Sequence, residues 1–266
     1  MSKKTKQIKS KTDRVFEIDF VRGMLIIFMC LEHLAYYFYR YVFLGIWDNT
    51  ILPAGVIQLG SWCNYFLYES TARPILRGVA LALFFLVSGI ASTFSKSNVK
   101  RATKILSFFV LLYILAFVAQ NFIQYPVMLN FGVFLAYAFC ILLFELFRKI
   151  PLWLHYVISV ILLALSVLAY FFFADFGINP LRWFGISQYL NLQFLDDYPI
   201  FPSIFFFSLG VVLGKTIYKK KKNPLYKLNN CIVLKPVLWV GRNSLIVYGV
   251  HFLLYPIIFV IVSVAL

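Results

Sequence analysis

Charge is scarce in this 266-residue chain: 13% of its residues are Asp, Glu, Lys or Arg, and only ten are acidic. Soluble domains carry about 25% charged and roughly 45–50% apolar residues. This chain is 62% hydrophobic and 20% aromatic, with a mean hydropathy of +0.85. A water-soluble fold, a disordered chain and a nucleic-acid-binding protein are thereby excluded. The four cysteines, Cys30, Cys63, Cys140 and Cys231, show no CxxC or Cys/His spacing, which argues against a disulfide framework and against a metal site. Histidine is rarer still, at His33, His155 and His251. The first apolar stretch lacks a small-residue cleavage site and runs on as Glu32-His33-Leu34-Ala35, so it reads as an uncleaved span rather than a signal peptide. No internal repeat is visible, which weighs against an inverted-repeat transporter.

What is abundant is apolar length. A helix needs about 20 apolar residues to cross the hydrocarbon core. That rule predicts an all-α, polytopic membrane helix bundle with seven spans near 16–39, 73–95, 105–123, 128–147, 153–174, 200–218 and 238–264. A basic tail, 1–14, precedes a single transmembrane domain, 15–266. With the N-terminus inside, the segments 1–14, 96–104, 148–152 and 215–236 hold 19 Lys and Arg, and Arg22 and Arg242 lie near the same side. Only Arg40, Arg73, Arg77 and Arg182 fall opposite. This asymmetry predicts a cytoplasmic N-terminus and an extracytoplasmic C-terminus. It also places the run Lys219-Lys220-Lys221-Lys222 against anionic headgroups, so the net charge of +15 calls for no nucleic acid. The outer loops, about 40–72 and 175–199, hold half of the acidic residues together with Trp47, Trp62 and Trp183.

Ionisable residues inside a span are costly and mark function by default. In the first span Arg22 and His33 are 11 residues apart, about 20° past three full turns, so they share a face roughly 16 Å apart. Asp19 lies one turn before Arg22 and can pair with it. Glu32 points about 100° away and needs a partner from another helix. In the last span Arg242-Asn243 is followed by Ser244, Tyr248 and His251 at i, i+4, i+7, a polar stripe. Two spans thus repeat one layout, an Arg near the cytoplasmic side and a His near mid-membrane. If they are neighbours, they build an anion site below a proton-transfer site. The second span ends Ser88-Gly89-Ile90-Ala91-Ser92, whose small residues suit close helix packing. Together with Lys96, Lys100, Arg101 and Lys104 the same segment could form a cytoplasmic mouth for phosphates. Glu145 is expected to pair with Arg148 or Lys149. His155, beside Pro151 and Trp153, reads as interfacial and receives no role.

These residues, in order, resemble the transmembrane acyltransferase superfamily, and more nearly the family of the heparan-alpha-glucosaminide N-acetyltransferase catalytic domain and its small bacterial relatives. The resemblance rests on Glu17-Ile18-Asp19-Phe20-Val21-Arg22-Gly23 with His33, and on Phe84-Phe85-Leu86-Val87-Ser88-Gly89-Ile90 with Ser95. It continues through Phe131-Gly132, Tyr198-Pro199-Ile200-Phe201-Pro202 and Gly241-Arg242-Asn243-Ser244-Leu245 with Tyr248 and His251. It implies transfer of an acetyl or acyl group from cytoplasmic acetyl-CoA to an extracytoplasmic sugar amine or hydroxyl, in a multi-pass protein of the bacterial cytoplasmic membrane. Two departures stand out. Bacterial relatives often carry a His three residues after the Phe-Gly pair, where this chain has Leu135. The eukaryotic enzyme carries its key His in the first outer loop, and segment 40–72 has none.

A sugar amine or hydroxyl is a poor nucleophile until a base removes its proton, and an imidazole suits that task. The expected catalytic residues are therefore His33 and His251. Arg22, Arg242, Asn243, Ser88, Lys96, Lys100 and Arg101 are expected to hold acyl-CoA, Arg offering bidentate contacts to phosphate. Asp19, Glu32, Ser244 and Tyr248 are the expected supporting residues. The expected partners are acyl-CoA, a carbohydrate acceptor and the bilayer, with homo-oligomerisation open. Two rival readings use the same scaffold without catalysis: a carrier or exporter of lipid-linked glycans, and an assembly partner.

Overall fold

The computed structural model describes residues 15–120, 133–172, 200–219, 228 and 231–265. The basic tail, the Phe131-Gly132 and Tyr198-Pro199 motifs, the lysines at 220–222 and the segment 175–199 lie outside the described residues. Helix accounts for nearly everything described, and no strand occurs among the described residues.

Helix α1 spans Phe16–Phe38, with Glu17 and Asp19 in its first turn, where the helix dipole favours acids. A π-helical turn, Tyr39–Phe43, continues it. The segment that follows, expected outside the membrane, forms a helix that hydropathy did not predict, α2 at Ala54–Asn64, which leads into a second π-helical turn, Tyr65–Glu69. Between them Asp48 accepts hydrogen bonds from the Thr50 backbone N–H (2.9 Å) and hydroxyl (2.7 Å), which hold its carboxyl below the usual range. Helix α3 covers Ala72–Phe94 and α4 covers Asn98–Gln120. The expected span 105–123 therefore begins seven residues earlier than hydropathy indicated, and Lys100, Arg101 and Lys104 sit on helix rather than in a loop. Next come α5 (Val133–Leu146), α6 (Leu152–Phe172) and α7 (Ile200–Thr216). The last expected span is not continuous. It divides into α8 (Lys235–Arg242), with Pro236 in its first turn, and α9 (Ser244–Ala265), separated by Asn243 at φ −114°, ψ 27°. Helices α3 and α9 are long and apolar enough to cross a membrane by length and composition.

Two helix pairs approach at backbone distance because glycine removes the side chain between them. A Cβ on Gly89 of α3 would collide with the Phe207 carbonyl, and one on Gly210 of α7 would collide with the Leu86 carbonyl. The same reciprocity joins α1 to α8, where Gly23 faces the Val237 carbonyl and Gly241 the Asp19 carbonyl. Gly89 therefore serves packing and approaches a helix rather than a ligand. The main buried cluster, including Phe85, Leu112, Ile141 and Phe207, fills the space among α3, α4, α5 and α7, and Leu135 packs against it. A second cluster ties the π-helical turn after α1 to α9. There the Trp47 ring stacks on Phe259 (5.3 Å, 12°), and its indole N–H donates to the Ser263 hydroxyl at 2.7 Å.

Candidate functional site

Helices α1 and α9 are neighbours, so the condition set by the repeated Arg–His layout is met. His33 Nδ1 lies 2.8 Å from His251 Nε2, with the rings stacked at 5.0 Å between centroids. The tautomer follows from the far side of the pair. His251 Nδ1 faces the Val247 carbonyl at 3.3 Å, and a carbonyl can only accept. With both rings neutral, His251 Nε2 then carries a lone pair and accepts from His33 Nδ1–H. The proton-free nitrogen left over is His33 Nε2, an available base.

Two cavities meet at this pair. The first, of about 240 Å³, runs along α1 from Arg22 to His33, walled by apolar side chains such as Leu25, Met29, Leu81 and Phe134. Arg101, Lys104 and Ser244 also line it, and Ser88 lies on its wall. The second, of about 140 Å³, lies beyond His33 and is lined by His251, Arg73 and the phenols of Tyr36, Tyr37, Tyr68 and Tyr255. Four residues face both: Glu32, His33, Arg77 and Tyr248.

The expected residues separate into groups. Arg22, Ser88, Arg101, Ser244 and Tyr248 line the first cavity with His33, and the Ser88 hydroxyl is buried without a hydrogen-bond partner among the described residues. Arg101 is steadied by the Ser92 hydroxyl (3.3 Å) and by the Tyr137 ring 5.2 Å away. Arg242, Asn243, Lys96 and Lys100 do not line either cavity. Arg242 turns instead to Asp19 (3.1 Å), which is buried and also lies 3.9 Å from Arg22. Asn243 folds back to donate to the Trp239 carbonyl at 2.9 Å. Glu32 finds its interhelical partner in Arg73, at 2.8 Å. Glu145 pairs with Arg148 (3.2 Å).

Two expectations need correcting. His155 was given no role, yet it is buried at 3% exposure and bonds to Lys215 Nζ, itself 2.9 Å from the Arg148 carbonyl. The chain thus has a third enclosed imidazole, away from both cavities. The second correction is an omission. Arg73 and Arg77, expected only as outer-side cations, belong to the site. Their i, i+4 spacing at the head of an apolar run was the signal that could have found them.

No group of three or more His, Cys, Asp or Glu able to hold a metal occurs among the described residues. What the residues do present is a paired imidazole between a largely apolar cavity that also carries cations and a phenol-lined one, in a helical membrane protein. The profile described as heparan-alpha-glucosaminide N-acetyltransferase, catalytic, matches residues 14–253. The chain belongs to this family of acetyltransferase-related membrane proteins. No curated protein and no solved structure matches it.

Proposed function

We propose that this chain is a seven-span membrane acyltransferase, with its N-terminus in the cytoplasm. In this reading the first cavity takes acyl-CoA from the cytoplasmic side, and the second takes a carbohydrate acceptor from outside. The observation that carries the reading is the His33–His251 pair at the junction of the two cavities.

The first cavity suits acyl-CoA in three respects. Arg22, Arg101 and Lys104 offer cations to the phosphates. The buried Ser88 hydroxyl offers a hydrogen bond part of the way along to an amide of the pantetheine arm. The length of α1 from Arg22 to His33, about 16 Å, separates the phosphate end from the reacting end. The thioester supplies an activated acyl group. His33 Nε2 takes the proton of the attacking acceptor, and His251 holds the His33 ring in the tautomer that leaves Nε2 free. Arg242 and Asp19 brace the α1–α8 contact rather than hold the co-substrate.

The test uses purified full-length protein in liposomes with labelled acetyl-CoA and a panel of glycan acceptors. Wild type is expected to transfer label. His33→Ala should lose about 10²–10⁴ in rate with acetyl-CoA binding held within a few fold, because the cations lie three turns away. His251→Ala should lose less, since His33 keeps its basic nitrogen but not its fixed tautomer. Full activity in His33→Ala would reject the mechanism. Absence of transfer in wild type with every acceptor would favour a carrier.

A further inference from the structure

We propose that Asn98 and Glu145 are positioning residues that set Arg101 for the phosphates of the acyl donor. The proposal rests on the acyl-transfer reading above and adds to it two residues that line neither cavity.

The residues lie where α3, α4 and α5 come together. Asn98 opens α4 and is fully buried. Its side-chain amide donates to the Ser92 carbonyl of α3 at 3.1 Å and to the Glu145 carboxylate of α5 at 2.8 Å. Arg101 follows one turn later on the same face of α4 and touches the same two helices. Its guanidinium donates to the Ser92 hydroxyl at 3.3 Å and lies 5.2 Å from the Tyr137 ring. Both partners are neutral, so they orient the guanidinium without cancelling its charge. Asn98 thus fixes, at the start of α4, the spacing of the three helices among which Arg101 is held.

Closing the turn between α3 and α4 does not account for Asn98. The bond to Ser92 would close it alone, and an apolar residue would fill the space without burying a polar group. Asn98 instead leaves Oδ1 buried with no hydrogen-bond partner among the described residues, which is unfavourable. What its amide adds is the hold on α5. Glu145 is itself fixed: Arg148 donates to it at 3.2 Å and to the Ser95 carbonyl at 3.0 Å, and the Arg148 carbonyl accepts from Lys215 of α7 at 2.9 Å. Lys215 bonds in turn to His155 of α6, so the imidazole outside both cavities is the far end of the same clasp. A long arginine side chain loses rotamer freedom when it grips a ligand, and one already fixed loses less. Loosening the helices that carry Ser92 and Tyr137 should therefore weaken the grip on phosphate and spare the rest of the donor.

Binding of labelled acetyl-CoA to the purified full-length protein in detergent tests this, with S-acetylpantetheine, which carries no phosphate, as competitor. Wild type is expected to bind acetyl-CoA. Asn98→Ala should weaken acetyl-CoA about three- to tenfold, while the inhibition constant of S-acetylpantetheine stays within about twofold. Arg101→Ala should show the same pattern, and combining the two should cost no more than Arg101→Ala alone. Glu145→Ala should follow Asn98→Ala, whereas Glu145→Gln, which keeps an oxygen to accept from Asn98, should recover most of the affinity. If Asn98→Ala does not fold, the two Glu145 variants decide. Equal weakening of both ligands, or a further loss in the double variant, would mark a packing role alone and overturn the proposal. Unchanged acetyl-CoA affinity in Glu145→Ala would overturn it as well. Absence of acetyl-CoA binding in wild type would overturn the acyl-donor reading and this proposal with it.

Discussion

Helix α3 meets α7 on one face and the cavities on another, and the two faces differ in what occupies the space beside the backbone. Toward α7, Gly89 leaves nothing, so that the Phe207 carbonyl sits where a Cβ would be. Toward the cavities, Arg73, Arg77 and Ser88 project polar groups into space that no neighbouring helix fills. Neighbouring positions such as Ser88 and Gly89 thus serve opposite ends, one open to ligand and one closed against protein. Small residues in a membrane helix do not by themselves say which; the neighbour across the gap does.

The largest effect expected is on the closed face. Gly89→Val drives a side chain into backbone that cannot move aside, and should cost more than about 3 kcal/mol, beyond the usual overpacking range. Gly78, on the same helix, is open: a Cβ added there would meet nothing within 4 Å. Gly78→Ala should therefore be neutral or stabilising by about 0.5–1 kcal/mol. Thermal melts and size-exclusion profiles in detergent compare the pair, and equal behaviour would break the contrast. An intermediate effect is expected at the other glycine-sealed contact. Asp19→Asn weakens the hold on Arg242 where α1 meets α8, and should lower stability by about 1–3 kcal/mol in the same melts. The smallest effects belong to cations outside the cavities. Lys96→Ala and Lys100→Ala should leave acetyl-CoA affinity within about twofold by calorimetry, because exposed charges contribute little. Arg101→Ala, in the cavity lining, should weaken it about tenfold.

The parts of the site that lie along one helix were legible in the sequence. Helical periodicity alone put Arg22 and His33 on a common face and made a stripe of Ser244, Tyr248 and His251, and both line cavities. It also showed that Glu32 required a partner from elsewhere, without naming it. Arg73 is 41 residues away, and the register between two helices leaves no trace in the period of either. The partner of His155 was hidden for the same reason, since Lys215 is 60 residues distant and lies on α7. Arg242 was expected at phosphate because its charge and depth matched Arg22, and its neighbour across the helix contact could not be read from either helix. The Gly23–Gly241 contact brings Arg242 to Asp19. Hydropathy placed the helix cores well and their ends poorly: it discarded the charged first turns of α4, which helix formation retains, and it ran through Asn243 because the residues after it are continuously apolar.

That single-residue interruption also sets a length. Had α8 and α9, of 8 and 22 residues, continued through Asn243 as one helix, the rod would measure about 47 Å. The hydrocarbon core of a bilayer is about 30 Å thick, and excess apolar length must be absorbed by tilt or by local thickening. Alone, α9 measures about 33 Å, a near match that leaves little excess to absorb. The helical hydrogen-bond pattern reaches Asn243 from both sides: its N–H donates to the Trp239 carbonyl at 3.0 Å, and its carbonyl accepts from the Val247 N–H at 3.0 Å. The swivel at Asn243 therefore leaves a final helix whose length matches the thickness of a hydrocarbon core, and leaves α8, with Lys235, Trp239 and Arg242, as a separate short element whose composition suits a lipid–water boundary.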